Sequence, residues 1–337
     1  MKRIKWVDLG KCICILFVMI SHMSYVPELL RCLFKPVFLT FFFFLSGYVF
    51  NSDRPFPDFL RRRVRSILLP ALLFSVVYLV DVRALLSGAY SPGLLAADLS
   101  RLLFQRRGEG DVLWFLYVNF LASIPLYAVT RCMKERGGLL LSFAGCQASI
   151  VYVRHFMERT PCWYIHIVFV AMFIMMCGYA CRNHEKELIR VEKWELFAPA
   201  AFLYLWLVLR AFYRDGLYVN INEYGVGAIY WYLTVFTGIY IMIFICRRCE
   251  CGRLTAYIGA NTIIFYLFHD RVRNVFDWGI RRAGLYQTVL GSQWAMLACT
   301  VCSLVFVTSA LLVISACVNR YFPWLVGKRR IKTEIRQ

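Results

Sequence analysis

The sequence predicts an all-α integral membrane protein, with about ten transmembrane helices in one bundle and both termini in the cytoplasm. Three observations carry that class. Of the 337 residues, 60% are hydrophobic and 17% aromatic, and the mean hydropathy is +0.59. Soluble domains run at about 45–50% apolar, and an exposed excess would aggregate. Apolar stretches of about 17–25 residues recur along the chain, the length a helix needs to cross a hydrocarbon core about 30 Å thick. With the N-terminus inside, 25 of the 39 Lys and Arg fall on the cytoplasmic side and 14 on the other. That asymmetry is what the positive-inside rule requires.

The spans fall at residues 9–28, 36–51, 66–83, 112–131, 138–154, 161–181, 196–213, 225–246, 255–270 and 290–318. The first opens after a basic N-terminus and ends in SHMSYVPE, which offers no small-residue cleavage site. It therefore reads as a permanent helix and not a signal peptide. Basic loops follow the even-numbered spans, with five Lys and Arg in 51–65 and four in 182–193. The ninth span is short, and an extension to about Val275 is open. The tenth is long enough to tilt. The whole chain, 1–337, reads as one membrane domain whose last residues, 320–337, form a basic cytoplasmic tail.

The net charge of +19 follows from topology and from attraction to anionic membrane lipids, so it calls for no nucleic-acid partner. The 14 Cys stand mostly singly in apolar runs, where Cys packs as a small hydrophobe. The cluster CRRCEC at 246–251 has no second pair and no nearby His, so no metal site is expected.

The stretch DLGKCICILFVMISH (8–22) holds the residues most at odds with lipid. At about 100° per residue, Lys11 and His22 differ by about 20° around the helix, and Asp8 and His22 by about 40°. All three share one face, with Lys11 and His22 about 16 Å apart along the axis. Lys11 can snorkel to headgroups, and Asp8 complements a helix N-terminus. An ionisable group as deep as His22 is costly and usually faces a polar interior. That face should therefore line an internal cavity into which His22 opens.

A basic residue, ten intervening residues and a His on the first helix resembles the signature of the membrane acyltransferase-3 family. The family usually carries Arg at the basic position; this chain has Lys11, as do many members resembling fucose 4-O-acetylases. FFFFLSGYVF (41–50), FLRRRVRSILLP (59–70), LWFL (113–116) and YIGANTIIFYLFHD (257–270) resemble further family segments in the same order. The resemblance implies an acyltransferase moving an acetyl or similar acyl group from acetyl-coenzyme A to a surface polysaccharide or lipid-linked sugar. It also implies a multi-pass protein of the bacterial inner membrane.

On that reading His22 is the candidate base, with Asp8, Lys11 and His269 completing the catalytic set. A neutral imidazole suits proton abstraction near neutral pH. His269 sits at a depth similar to that of His22, and the two rings should lie within about 10 Å of each other. Arg61, Arg62, Arg63 and Arg65 are the candidate binders of the donor phosphates, since Arg forks suit phosphate. Any such loop is also basic by topology alone. Ser46 reads as a hydrogen-bonding or packing residue and not a nucleophile. With Trp114 and Asn261 it makes the candidate substrate-binding set. The competing class is a transporter or flippase of a glycan or lipid-linked sugar, which would share the helices and buried His but transfer no acetyl.

Overall fold

The computed structural model describes residues 4–79, 91–105, 112–216, 219, 221 and 224–328. Every regular element among them is helical. In order these are α1 (Lys5–Ser21), α2 (Glu28–Phe34), α3 (Phe38–Tyr48), α4 (Phe56–Arg63), α5 (Leu69–Leu79) and α6 (Pro92–Phe104). There follow α7 (Trp114–Cys132), α8 (Glu135–His155), α9 (Ile165–Asn183), α10 (Glu185–Val191), α11 (Trp194–Asp215) and α12 (Ala228–Arg248). The last four are α13 (Arg253–Ala260), α14 (Thr262–Arg282), α15 (Tyr286–Leu290) and α16 (Gln293–Tyr321). A π-helical turn, Val64–Leu68, joins α4 to α5, and a 3-10 turn, Pro323–Val326, closes the described chain. The expected end of the third span at 80–83 and the tail residues 329–337 lie outside the described residues.

Six spans among the described residues are long and apolar enough to cross a membrane. They are Glu28–Tyr48, Trp114–Cys132, Cys162–Asn183, Trp194–Arg214, Ala228–Arg248 and Gln293–Tyr321. The other four expected spans depart from that pattern for identifiable reasons. Helix α1 has 17 residues, one turn short of a full span, and its central Cys14 and Ile15 are wholly buried. Helix α5 runs into residues outside the described set. Helix α8 is diluted by Gly, Ser and Gln. The ninth span, expected at 255–270, breaks at Asn261 and continues to Arg282, carrying Asp270, Arg271, Arg273 and Asp277.

The first two boundaries also move. Helix α1 stops at Ser21, well short of residue 28, and Glu28 already begins the next span. That span bends at residues 35–37, around Pro36. A proline lacks the N–H a helix needs and biases its predecessor away from helical geometry.

The centre of the bundle is α3, packed between α1 and α9. A Cβ on Gly47 would stand 1.8 Å from the Met175 carbonyl oxygen, and one on Gly178 2.1 Å from that of Phe44. The two backbones therefore touch, as small residues allow in membrane bundles. Large apolar side chains face outward elsewhere, with Phe202, Ile229 and Val313 among the most exposed. We call the end where α1 begins proximal and the end at His22 distal.

Replacing Gly178 with Val is expected to force the α3–α9 crossing apart and to lower the yield of folded protein from membranes several-fold. Size-exclusion chromatography in detergent, with Gly279→Val at an open site as control, reads the effect.

Candidate active site

The proximal half of the bundle holds an open-mouthed cavity of about 1400 Å³. Pockets for drug-sized ligands run to about 300–1,000 Å³, so this one accommodates a nucleotide-sized molecule. Its basic wall is Arg54 from the loop before α4, Arg61, Arg62 and Arg63 from α4, and Arg65 from the π turn that follows. The loop before α4 is tied down by Arg182, which donates to the Phe50 carbonyl at 2.9 Å, and by Tyr127, which donates to the Arg54 carbonyl at 2.7 Å. Helix π turns are frequent at functional sites, where the extra residue re-aims side chains.

The end of the described chain also lines the cavity, with Trp324, Val326, Gly327 and Lys328. The Lys328 ammonium donates to Asn261 Oδ1 at 2.6 Å and to Asn319 Oδ1 at 2.7 Å. Asn261 sits in the break between α13 and α14, where its own Nδ2 holds the Tyr257 carbonyl at 2.8 Å. Gly327 makes the turn possible: its φ is +69°, and a Cβ there would meet Arg65 O at 2.3 Å. The last turn is thus seated directly on the arginine segment.

Deeper in, Lys11 and Ser46 line the cavity with Asn119, whose amide donates to Ser46 Oγ at 3.0 Å. Thr262 stands on α14 at the same wall. The cavity then reaches Phe42, Phe115 and Tyr266. Beyond Tyr266 lies a histidine pair, His22 and His269, with ring centroids 5.1 Å apart. His269 is 1% exposed, and its Nδ1 lies 2.8 Å from the Tyr266 carbonyl oxygen. The ring therefore donates from Nδ1, leaving Nε2 as the acceptor. That Nε2 is buried and has no partner among the described residues.

The distal side of the pair is a charged cluster. Arg273 bridges Asp270 at 2.7 Å and Asp277 at 3.2 Å. Asp277 also accepts from Ser24 Oγ at 2.9 Å. Ser24 follows His22 by two residues, so the cluster pins the loop carrying His22 to the helix carrying His269.

The structure thus brings Lys11, Ser46, Arg61, Arg62, Arg63 and Arg65 to one cavity and His22 and His269 to each other. Neither histidine is among the residues lining this cavity; Tyr266 lines it, and the Tyr266 carbonyl holds His269 Nδ1. Asp8 is buried at the α1–α13 contact, where Gly259 closes on its backbone, and is not on the cavity wall. Trp114 packs 6.1 Å from Tyr164 away from the cavity, and Asn261 acts through Lys328. The sequence reading missed Asn119, Asn319, Lys328, Asp270, Arg273 and Asp277. The charges of α14 recur at 270, 273 and 277, a helical spacing that could have marked one face.

A family model described as an acyltransferase domain matches residues 4–315. No curated protein and no solved structure matches the chain.

Substituting Ala for Ser24 removes one hydrogen bond to a charged carboxylate and should cost about 1.5–3 kcal/mol. Thermal unfolding of the purified variant checks this, and an unchanged midpoint would show that the loop is held by other contacts.

Proposed function

We propose a function from one premise: the chain belongs to the acyltransferase-3 family and is a multi-pass membrane acyltransferase. The donor is acetyl-coenzyme A, entering from the cytoplasm at the proximal end. The acceptor is a hydroxyl of a surface polysaccharide or lipid-linked sugar, presented at the distal end. The membrane is the bacterial cytoplasmic membrane.

The observation that carries this reading is the order of chemistry along one axis. Guanidinium groups and Lys328 stand at the proximal wall, Lys11, Ser46 and Asn119 further in, and the histidine pair beyond. Phosphate groups suit the basic wall, where Arg forks make charge-assisted contacts. A thioester extending inward from there points towards the histidines.

In this mechanism His22 takes the proton of the acceptor hydroxyl as the oxygen attacks the thioester carbonyl. The C–O bond forms, the C–S bond breaks, and the coenzyme A thiolate leaves and is protonated. His269, with Nδ1–H held by Tyr266, offers Nε2 to orient the same hydroxyl. General-base catalysis of this kind contributes about 10²–10⁴-fold. Lys11 attracts the donor at the inner wall. Asp8 supports the first turn of α1 and does not touch the donor.

Purified full-length protein should transfer radiolabelled acetyl from acetyl-coenzyme A to deacetylated glycan. His22→Ala should lower kcat at least about 100-fold with near-normal expression, in line with the size of general-base contributions. Full activity in that variant would remove the base assignment. Arg62→Ala and Arg65→Ala should each raise the KM for acetyl-coenzyme A about tenfold, the equivalent of about 1.4 kcal/mol. An unchanged KM in both would remove the phosphate role.

A further inference from the structure

We infer that Phe42, Phe115 and Tyr266 form the acyl end of the donor cavity and restrict the acyl group to a short one such as acetyl. The inference rests on the donor reading above and deepens it. It starts from the register of three helices. Ser46 on α3, Asn119 on α7 and Thr262 on α14 all line the cavity. Phe42, Phe115 and Tyr266 stand four residues further towards the distal end on the same three helices and line it too. Four residues are about one turn, or about 6 Å. A polar ring is thus followed by an aromatic ring one turn deeper.

Phe115 joins the other two aromatic side chains. Phe42 and Phe115 have centroids 5.4 Å apart, and Phe115 and Tyr266 5.6 Å. All three are at most 7% exposed. Tyr266 is fixed at both ends, since its hydroxyl donates to the Val112 carbonyl and its own carbonyl receives His269 Nδ1–H. Interiors packed in this way resist added methylenes, because side chains must leave their rotamers to admit them.

A donor anchored by phosphates at the basic wall reaches this ring with its acyl group. Acetyl ends in a methyl, which an aromatic surface accepts. Each further methylene must displace a ring, and pockets of this type discriminate by roughly 10–200-fold per methylene. Butyryl is two methylenes longer, and succinyl has the same four-carbon length and adds a carboxylate that an aromatic surface does not hydrogen-bond. Tyr266 lines the donor cavity and its carbonyl holds His269 Nδ1–H, so the residues that measure the acyl group adjoin the histidine pair.

The test uses full-length protein in detergent with acetyl-, butyryl- and succinyl-coenzyme A, and with free coenzyme A as the unacylated probe. Wild type is expected to favour acetyl over each longer donor at least tenfold in kcat/KM. Phe42→Ala and Phe115→Ala are expected to narrow the acetyl-to-butyryl ratio at least tenfold while binding free coenzyme A as wild type does. Two variants are used because either could fail to fold, and coenzyme A binding reports the folded cavity. Equal use of butyryl by wild type, or an unchanged ratio in folded variants, would overturn the inference. Failure of free coenzyme A to bind wild type would remove the donor reading itself, which separates the two failures.

Discussion

The contact on which the rest depends is the backbone-to-backbone approach of α3 and α9 at Gly47 and Gly178. In a bilayer there is little hydrophobic drive between helices, because lipid tails are as apolar as Leu, so close packing has to supply the association. Two missing side chains let the α3 backbone sink against α9. Helix α3 then presents Ser46 and Phe42 to the interior while Phe41 and Leu45 meet Gly10 of α1. The same crossing therefore sets the depth of the cavity and the position of the helix that carries Lys11 and His22.

Two interruptions of apolar helices add the chemistry. Around Pro36 the second span bends, which separates the short α2 from the packed α3. At Asn261 the ninth span breaks, and its freed side chain holds Lys328 together with Asn319. Irregular backbone at membrane depth is tolerated where it is buried in protein or lines a cavity, and Ala260, Thr262 and Ile263 around this break do line one. The distal cluster of Asp270, Arg273 and Asp277 obeys a related rule. Charges this close to a bilayer persist when they pair, and these pair with each other and with Ser24.

Much of this was legible from sequence. Composition and the apolar periodicity carried the all-α membrane class, because in lipid the backbone must satisfy its own hydrogen bonds. The 100° step put Asp8, Lys11 and His22 on one face of α1; of the three, Lys11 lines the cavity, while Asp8 is buried against α13. The arginine cluster at 61–65 was visible as a run of like charge. Less legible were the residues that act through others. Asn261 was singled out as a substrate contact, yet it holds Lys328, some 67 positions along the chain. Trp114 was singled out by its motif, yet it packs against Tyr164.

The sequence by itself determined which segments are helical and apolar and which faces carry ionisable groups, because those properties are local and periodic. Only the tertiary structure decided that Lys328 bonds Asn261 and Asn319, that Gly327 seats the last turn on Arg65, and that Phe42, Phe115 and Tyr266 line one cavity with the arginines. The reason is distance along the chain. Such contacts depend on where helices cross and break, and those crossings are set by the packing of small and large side chains from many segments at once.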